Sequence, residues 1–148
     1  MRDSAYNERY NQLKQAEQYL EAEYLGSIKP EQFNENKIKD ELILKRARHV
    51  ITENARVLEA KECIINGNIK SFGKLMNESH LSYAKDFEAS TEDVDMIVER
   101  SLRSGAEGAR LTGGGFGGFT VSLIQKNNFA SWKKNMNEFY DDENIFEA

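Results

Sequence analysis

The chain has 148 residues, 30% of them charged, and a formal net charge of −5. That length suffices for one domain with a real core, and the acidic balance argues against a nucleic-acid partner, whose site would carry a basic patch. The longest apolar runs fall far short of a membrane span, Met1-Arg-Asp-Ser leads into polar sequence rather than the apolar core of a signal peptide, and the lone Cys63 has no partner for an internal disulfide, which fits a reducing cytoplasm.

The first predicted helix spans 4–24, with Tyr6, Tyr10, Leu13, Leu20 and Tyr24 on one face. Gly26 is expected to end it, and Pro30 to open a short turn within a polar connection over 27–36. The longest helix is expected over 38–65. Ile43, Ala47, Val50, Ile51, Ala55, Leu58 and Ile65 form its apolar stripe, opposite a charged, solvated face. Asn66-Gly67-Asn68 stops it, with Gly67 suited to a left-handed conformation. A further helix follows with Phe72, Leu75, Met76, Ser79 and Tyr83 on one side, and these two helices are expected to pack as an antiparallel pair. Ser90 reads as the cap of the next helix, accepting from the N–H of Asp93. Val94, Ile97, Val98 and Leu102 form its buried face and Gly105 its close. Strands over 109–112 and 119–124 flank a glycine loop, and an amphipathic helix covers 128–140 through Phe129, Trp132 and Met136. The end, Asn144-Ile-Phe-Glu-Ala148, reads as the start of a strand. The fold class is α+β, with helices on one face of a small antiparallel sheet.

The chain is organised around its glycine loop. Five of its ten glycines fall between Gly113 and Gly118. Glycine gives up packing and loses backbone entropy on folding, so such a cluster belongs where backbone takes unusual dihedrals or where something approaches it closely. One reading is a set of bare N–H groups facing an anion or a substrate; the other is a tight hairpin with no ligand. Three familiar patterns fail on context. No Lys-Ser/Thr follows the last glycine, as a Walker A loop requires. Gly113, Gly115 and Gly118 fit G-x-G-x-x-G, but the dinucleotide fingerprint runs from strand into helix, whereas Phe119-Thr-Val-Ser-Leu-Ile124 reads as a strand. The H-R-D and D-F-G signatures of protein kinases are missing, Asp86-Phe87-Glu88 not being the latter.

Little else in the residues carries chemistry. His49 and His80 lie in helical sequence without a His or Cys at metal-site spacing, and His49 with Glu53 reads as a surface i,i+4 pair. His80 has no obvious nucleophile nearby to serve as a base. Asp141-Asp142-Glu143 reads as a solvated turn, and Cys63 as a small apolar residue near a helix end. The residues alone reach a loop suited to anions, with no acid, base or nucleophile beside it and no metal site.

Arg110-Leu-Thr-Gly-Gly-Gly-Phe-Gly-Gly118 resembles the third signature motif of galactokinases, in the GHMP sugar and metabolite kinase superfamily. Arg46-Ala-Arg-His-Val-Ile-Thr-Glu-Asn-Ala-Arg56, Phe72-Gly-Lys-Leu-Met-Asn-Glu-Ser-His80, Asp86-Phe-Glu-Ala-Ser-Thr91 and Ser4-Ala-Tyr-Asn-Glu-Arg9 resemble galactokinase sequence in the right order, so the resemblance covers nearly the whole chain. It implies a GHMP kinase C-terminal domain of ferredoxin-like fold over residues 1–148, truncated at both ends relative to the full enzyme. It implies transfer of phosphate from ATP to the anomeric hydroxyl of α-D-galactose, with Mg2+, in the cytoplasm. The family's first two motifs and its catalytic aspartate lie upstream. The resemblance therefore places no catalytic residue in this chain, expects neither ATP nor Mg2+ to bind it tightly, and makes the N-terminal half its partner. Tyr6, which from the residues alone belongs to a core stripe, matches a tyrosine whose hydroxyl hydrogen-bonds the galactose. Gly113, Gly114, Gly115, Phe116, Gly117 and Gly118 match the turn beside the sugar and transferred phosphate. Phe119 stands where many members carry Cys and is expected to point into the core. A final strand is expected beyond Ala148. Two other readings stay open: a non-catalytic sugar sensor or regulator on the same fold, and a kinase for N-acetylgalactosamine or another sugar.

Overall fold

A computed structural model describes residues 2–147, with side chains from Ser4 onward. The described elements are helix α1 (Arg2–Leu20), helix α2 (Glu41–Ile65), helix α3 (Ile69–Lys85), helix α4 (Glu92–Arg103), strands β1 (Gly108–Thr112) and β2 (Phe119–Leu123), and helix α5 (Phe129–Met136), with short 3-10 turns in the connections. The α+β reading holds: helices pack with a two-stranded antiparallel sheet in which Gly108 faces Leu123 and Thr112 faces Phe119. None of the described helices is long and apolar enough to cross a membrane.

Local chemistry sets the helix ends. α1 stops at Leu20, short of Gly26, because Glu21 turns left-handed at φ 55°. The N–H of Ala22 then reaches the Glu17 carbonyl and that of Glu21 the Gln18 carbonyl, the paired bonds of a Schellman stop. The same pattern closes α2 at Gly67 and α4 at Gly105, as their glycines predict. α2 begins at Glu41 rather than residue 38, since the Asp40 carboxylate accepts from Leu42 and Ile43 N–H at 2.9 and 3.1 Å. The cap of α4 is Thr91, accepting from Val94 N–H at 3.3 Å. Ser90, the expected cap, instead donates to Asp95 at 2.5 Å.

α2 and α3 form the expected antiparallel pair: His49 meets Ser82, and Glu53, further along α2, meets Ser79, earlier on α3. α1 packs on α2 through a core of Ala16, Leu25, Ile38, Ile43, Ala47 and Ile51. The faces differ from expectation. In α1 the buried side carries Arg9, Gln12 and Ala16, while Tyr6 and Tyr10, and Tyr24 beyond the end of the helix, are exposed. The buried side is thus rotated by roughly a quarter turn from the tyrosine stripe. In α2, Leu58 and Ile65 are exposed, and Arg46 and His49 are buried in their stead. Among the described residues each buried side-chain polar atom has a partner, the condition for burying it at all.

The hairpin turns Ala109 and Leu111 inward. The edge of β1 away from β2 is closed by α3: Ala109 N–H donates to Asn77 Oδ1 at 2.9 Å, and Leu111 N–H to His80 Nδ1 at 3.3 Å. This capping answers the hazard of an open strand edge. It requires close approach at Gly73, where a Cβ would stand 2.4 Å from the Glu107 carbonyl oxygen. Phe119 is 70% exposed, against expectation. Pleat alternation puts it with Thr112 on the face opposite Leu111. α5 docks through Trp132, whose Nε1–H reaches Ser101 O and Oγ at 3.2 and 3.1 Å. It ends at Met136, four residues early. Asp142–Asn144 is a 3-10 turn and residues 145–147 join no strand. Ala148, the end of the expected strand, lies outside the described residues.

Candidate functional site

The glycine loop links β1 to β2 with a backbone that ordinary residues resist. Gly113, Gly115, Gly117 and Gly118 all have positive φ, and so does Phe116 at 59°. Gly115 is required for a second reason. A Cβ there would stand 2.5 Å from the Ala89 carbonyl oxygen and 3.0 Å from Tyr83 Cε1. Among the described residues, the loop's hydrogen bond to another part of the fold runs from Phe116 N–H to Ala89 O, at 2.6 Å. The loop is therefore seated on the segment between α3 and α4, while Gly113, Gly114 and Gly118 stay exposed. It is not a free-standing hairpin.

That segment is itself held by two arginines from the N-terminal helices. Arg46, 1% exposed, donates from Nε to Gln12 at 3.1 Å, from Nη1 to the Asp86 carbonyl, and from Nη2 to the Glu88 carboxylate at 2.7 Å. The Arg46 hydrogen bond holds the Glu88 carboxyl below its ordinary value. Arg9 donates from Nε to Phe87 O at 2.8 Å and from Nη2 to Glu88 O at 3.2 Å. Its guanidinium lies 5.9 Å from the centre of the Phe116 ring, within cation–π range. Tyr6 stands three residues before Arg9 on α1, about 4.5 Å along the helix axis. It is 63% exposed, so it is not the core residue that its stripe suggested.

His49 is not a surface residue paired with Glu53. Its ring stacks on Phe87 at 4.8 Å and meets Tyr83 edge-on at 5.3 Å. Ser82 Oγ donates to Asp86 at 2.9 Å, so the 3.0 Å contact has His49 Nδ1–H donating to Ser82. Burial pushes His49 down to about 4, with Glu53 opposing. Burial raises the Glu53 carboxyl, but hydrogen bonds from Ser79 and Arg56 outweigh it and leave it below its ordinary value. His80 is also lowered by burial, against the pull of Asp95. Its Nδ1 accepts from Leu111, so Nε2–H faces Asp95 at 3.3 Å. Both histidines thus serve as neutral packing groups. Asp142 pairs with Lys133 at 2.8 Å, which fits a solvated turn. A groove of about 240 Å³ between α2, α3 and β2, with Val57, Phe72 and Val121 among its walls, takes no residue from the glycine loop or α1.

The residues that sequence reasoning missed are Arg9, Arg46 and the carbonyls of 86–89. One signal was available. Arg46 lies three residues after Ile43 and four before Val50, on the same helical face as the apolar stripe.

A family model described as "GHMP kinases C terminal" matches residues 60–142. The chain is 36% identical over 147 residues to a galactokinase of Levilactobacillus brevis, across 95% of this chain and 38% of that relative. It is 42% identical over 131 residues to a galactokinase of Clostridium acetobutylicum, across 84% of this chain and 34% of the relative. A crystal structure of Lactococcus lactis galactokinase complexed with galactose superposes with a TM-score of 0.86 at 34% identity, over 91% of this chain and 37% of that one. The chain thus spans little more than a third of the length of the relatives it matches. Family match and superposition converge on the hairpin and the helices that seat it: the chain belongs to the GHMP kinases, and its matched residues form their C-terminal domain.

Proposed function

We propose that this chain is the C-terminal part of a galactokinase, which moves the terminal phosphoryl group of ATP to the anomeric hydroxyl of α-D-galactose. The hydroxyl oxygen forms the new bond to phosphorus, the bond to the ADP oxygen breaks, and the hydroxyl proton passes to a base outside this chain. Phosphoryl transfer asks a protein mainly for positioning and for donors aimed at charge on the transferring oxygens. Backbone N–H groups of Gly113–Gly118, with no side chains in the way, suit that task. The observation that carries the reading is the seating of this loop on Ala89, beside the helix that bears the exposed Tyr6. Tyr6 would hydrogen-bond the sugar. When bound, Mg2+ neutralises phosphate charge. Among the described residues no three His, Cys, Asp or Glu side chains converge on a point. We assign the ion, with the nucleotide cradle, to sequence outside the chain.

The test is Tyr6→Phe in the full-length protein that contains this chain. The KM for galactose should rise by about tenfold, the loss of one hydrogen bond to a substrate hydroxyl, with the KM for ATP unchanged. Unaltered galactose kinetics would refute the assignment of Tyr6. The purified 148-residue chain should consume no ATP in response to galactose, and clear turnover would refute the claim that it is only part of the enzyme.

A further inference from the structure

We infer that Arg9 is a positioning residue that couples helix α1 to the glycine loop, setting the loop's place relative to Tyr6 by holding the carbonyls of Phe87 and Glu88. This rests on the reading of the loop as part of a sugar kinase site. Every nitrogen of the guanidinium is engaged: Nε with Phe87 O at 2.8 Å, Nη2 with Glu88 O at 3.2 Å, and Nη1 with Glu8 at 3.2 Å and Gln12 at 3.4 Å. The next carbonyl along, Ala89 O, is the one that accepts from Phe116 N–H. The Phe116 ring closes the circuit above the guanidinium. A shift of α1 is therefore passed through one rigid fork to the main chain on which the loop sits. Arg46 grips the same segment from α2, through Asp86 O and the Glu88 carboxylate. The segment thus stays attached when Arg9 is removed, and the effect to look for is misplacement rather than unfolding.

The fork matters because a planar guanidinium can hold two carbonyls in fixed geometry and an ammonium cannot. Misplacing a reacting group by about an ångström can reduce turnover on the order of 100-fold. The experiment compares Arg9→Met and Arg9→Lys in the full-length protein by two readouts. The first is kinetics: kcat should fall by roughly 10- to 100-fold in Arg9→Met, with the KM for ATP unchanged, and Arg9→Lys should lie between it and the native protein. The second is amide hydrogen exchange. Exchange at Phe116 should accelerate by about tenfold or more, while Leu111 in β1 keeps its native rate. Exchange depends on no substrate. A native protein that phosphorylates no galactose would reject the kinase reading, and Phe116 exchange would still decide the coupling. Native exchange at Phe116 in Arg9→Met overturns the inference. So does equal acceleration at Phe116 and Leu111, the mark of a general loss of stability, or an Arg9→Lys protein that matches the native one in both readouts.

Discussion

Adjacent glycines in the loop give opposite predictions on substitution, and the pair tests separately how the loop is held and what it faces. At Gly115 an alanine methyl would stand 2.5 Å from the Ala89 carbonyl oxygen and 3.0 Å from Tyr83, on backbone at φ 85°. The left-handed conformation costs an L-residue about 1–2 kcal/mol. The overlap is with main chain, so no rotamer relieves it. The loop must lift from Ala89 and give up the Phe116 hydrogen bond, worth about 1 kcal/mol. Gly115→Ala should therefore lower stability by about 2–3 kcal/mol, a loss bounded by detachment of the loop. At Gly114 a methyl meets nothing within 4 Å, and φ is not positive. Gly114→Ala should leave stability unchanged or raise it by up to about 1 kcal/mol, by restricting the unfolded chain. Urea denaturation followed by fluorescence of Trp132, which is buried against Ser101, measures both. If Gly115→Ala is as stable as Gly114→Ala, the seating on Ala89 is not as described. If the loop faces sugar and phosphoryl group as proposed, Gly114→Ala in the full-length protein should nevertheless lose on the order of 10- to 100-fold in turnover. Full activity there would remove the N–H surface from the mechanism.

Gly73→Ala, at a helix position where alanine normally gains about 1 kcal/mol, should instead destabilise the chain by about 2 kcal/mol. Its methyl meets the Glu107 backbone at 2.4 Å and would push α3 off β1; a neutral or stabilising result in urea denaturation would sink this account of the close contact. Stability should also depend on pH through His49, which takes up a proton near 6.5 when unfolded but only at about 4 when folded. Between those values the unfolded chain binds more protons, so this contribution is complete above pH 6.5 and is lost as pH falls toward 4, about 3 kcal/mol in all. His80 adds to it in the same direction. Denaturant titrations at pH 7 and 4.5 should reveal the loss, and His49→Gln should flatten it.

Element order and kind were legible because they depend on short-range signals. The stops at Gly67 and Gly105, the hairpin and the helix pair α2–α3 all follow from local residue chemistry and apolar spacing. The faces of α1 and α2 were not, because they are chosen by partners far along the chain. Arg9 is buried because carbonyls seventy-eight and seventy-nine positions away accept its protons. His49 is buried because Ser82 and Phe87 receive it. Hydrophobic spacing treats arginine and histidine as surface residues, and so it gave α1 a tyrosine face that lies in solvent. Phe119 failed by one step of the pleat, where its β-propensity was read correctly and its side was not. In the site, the loop was legible from its glycines, and Tyr6 entered only through resemblance. The support beneath the loop was invisible, since nothing in Asp86-Phe-Glu-Ala89 announces which main-chain carbonyls will be gripped.

The placement of the buried arginines is itself informative. A buried ion pair is weak evidence for stability, and apolar residues of similar volume often serve as well or better. What Arg9 and Arg46 add is aim, because three of their hydrogen bonds end on successive main-chain carbonyls, those of Asp86, Phe87 and Glu88. The two ends of the next contact, from Ala89 to Phe116, are flanked by left-handed non-glycine backbone, Glu88 at φ 51° and Phe116 at 59°. Such residues cost about 1–3 kcal/mol each and persist only where surroundings over-determine them. Here the surroundings are the two guanidinium forks on one side and the glycine turn on the other. Loosening a fork should therefore let Glu88 and Phe116 relax together, moving the loop as a unit and leaving the helices in place.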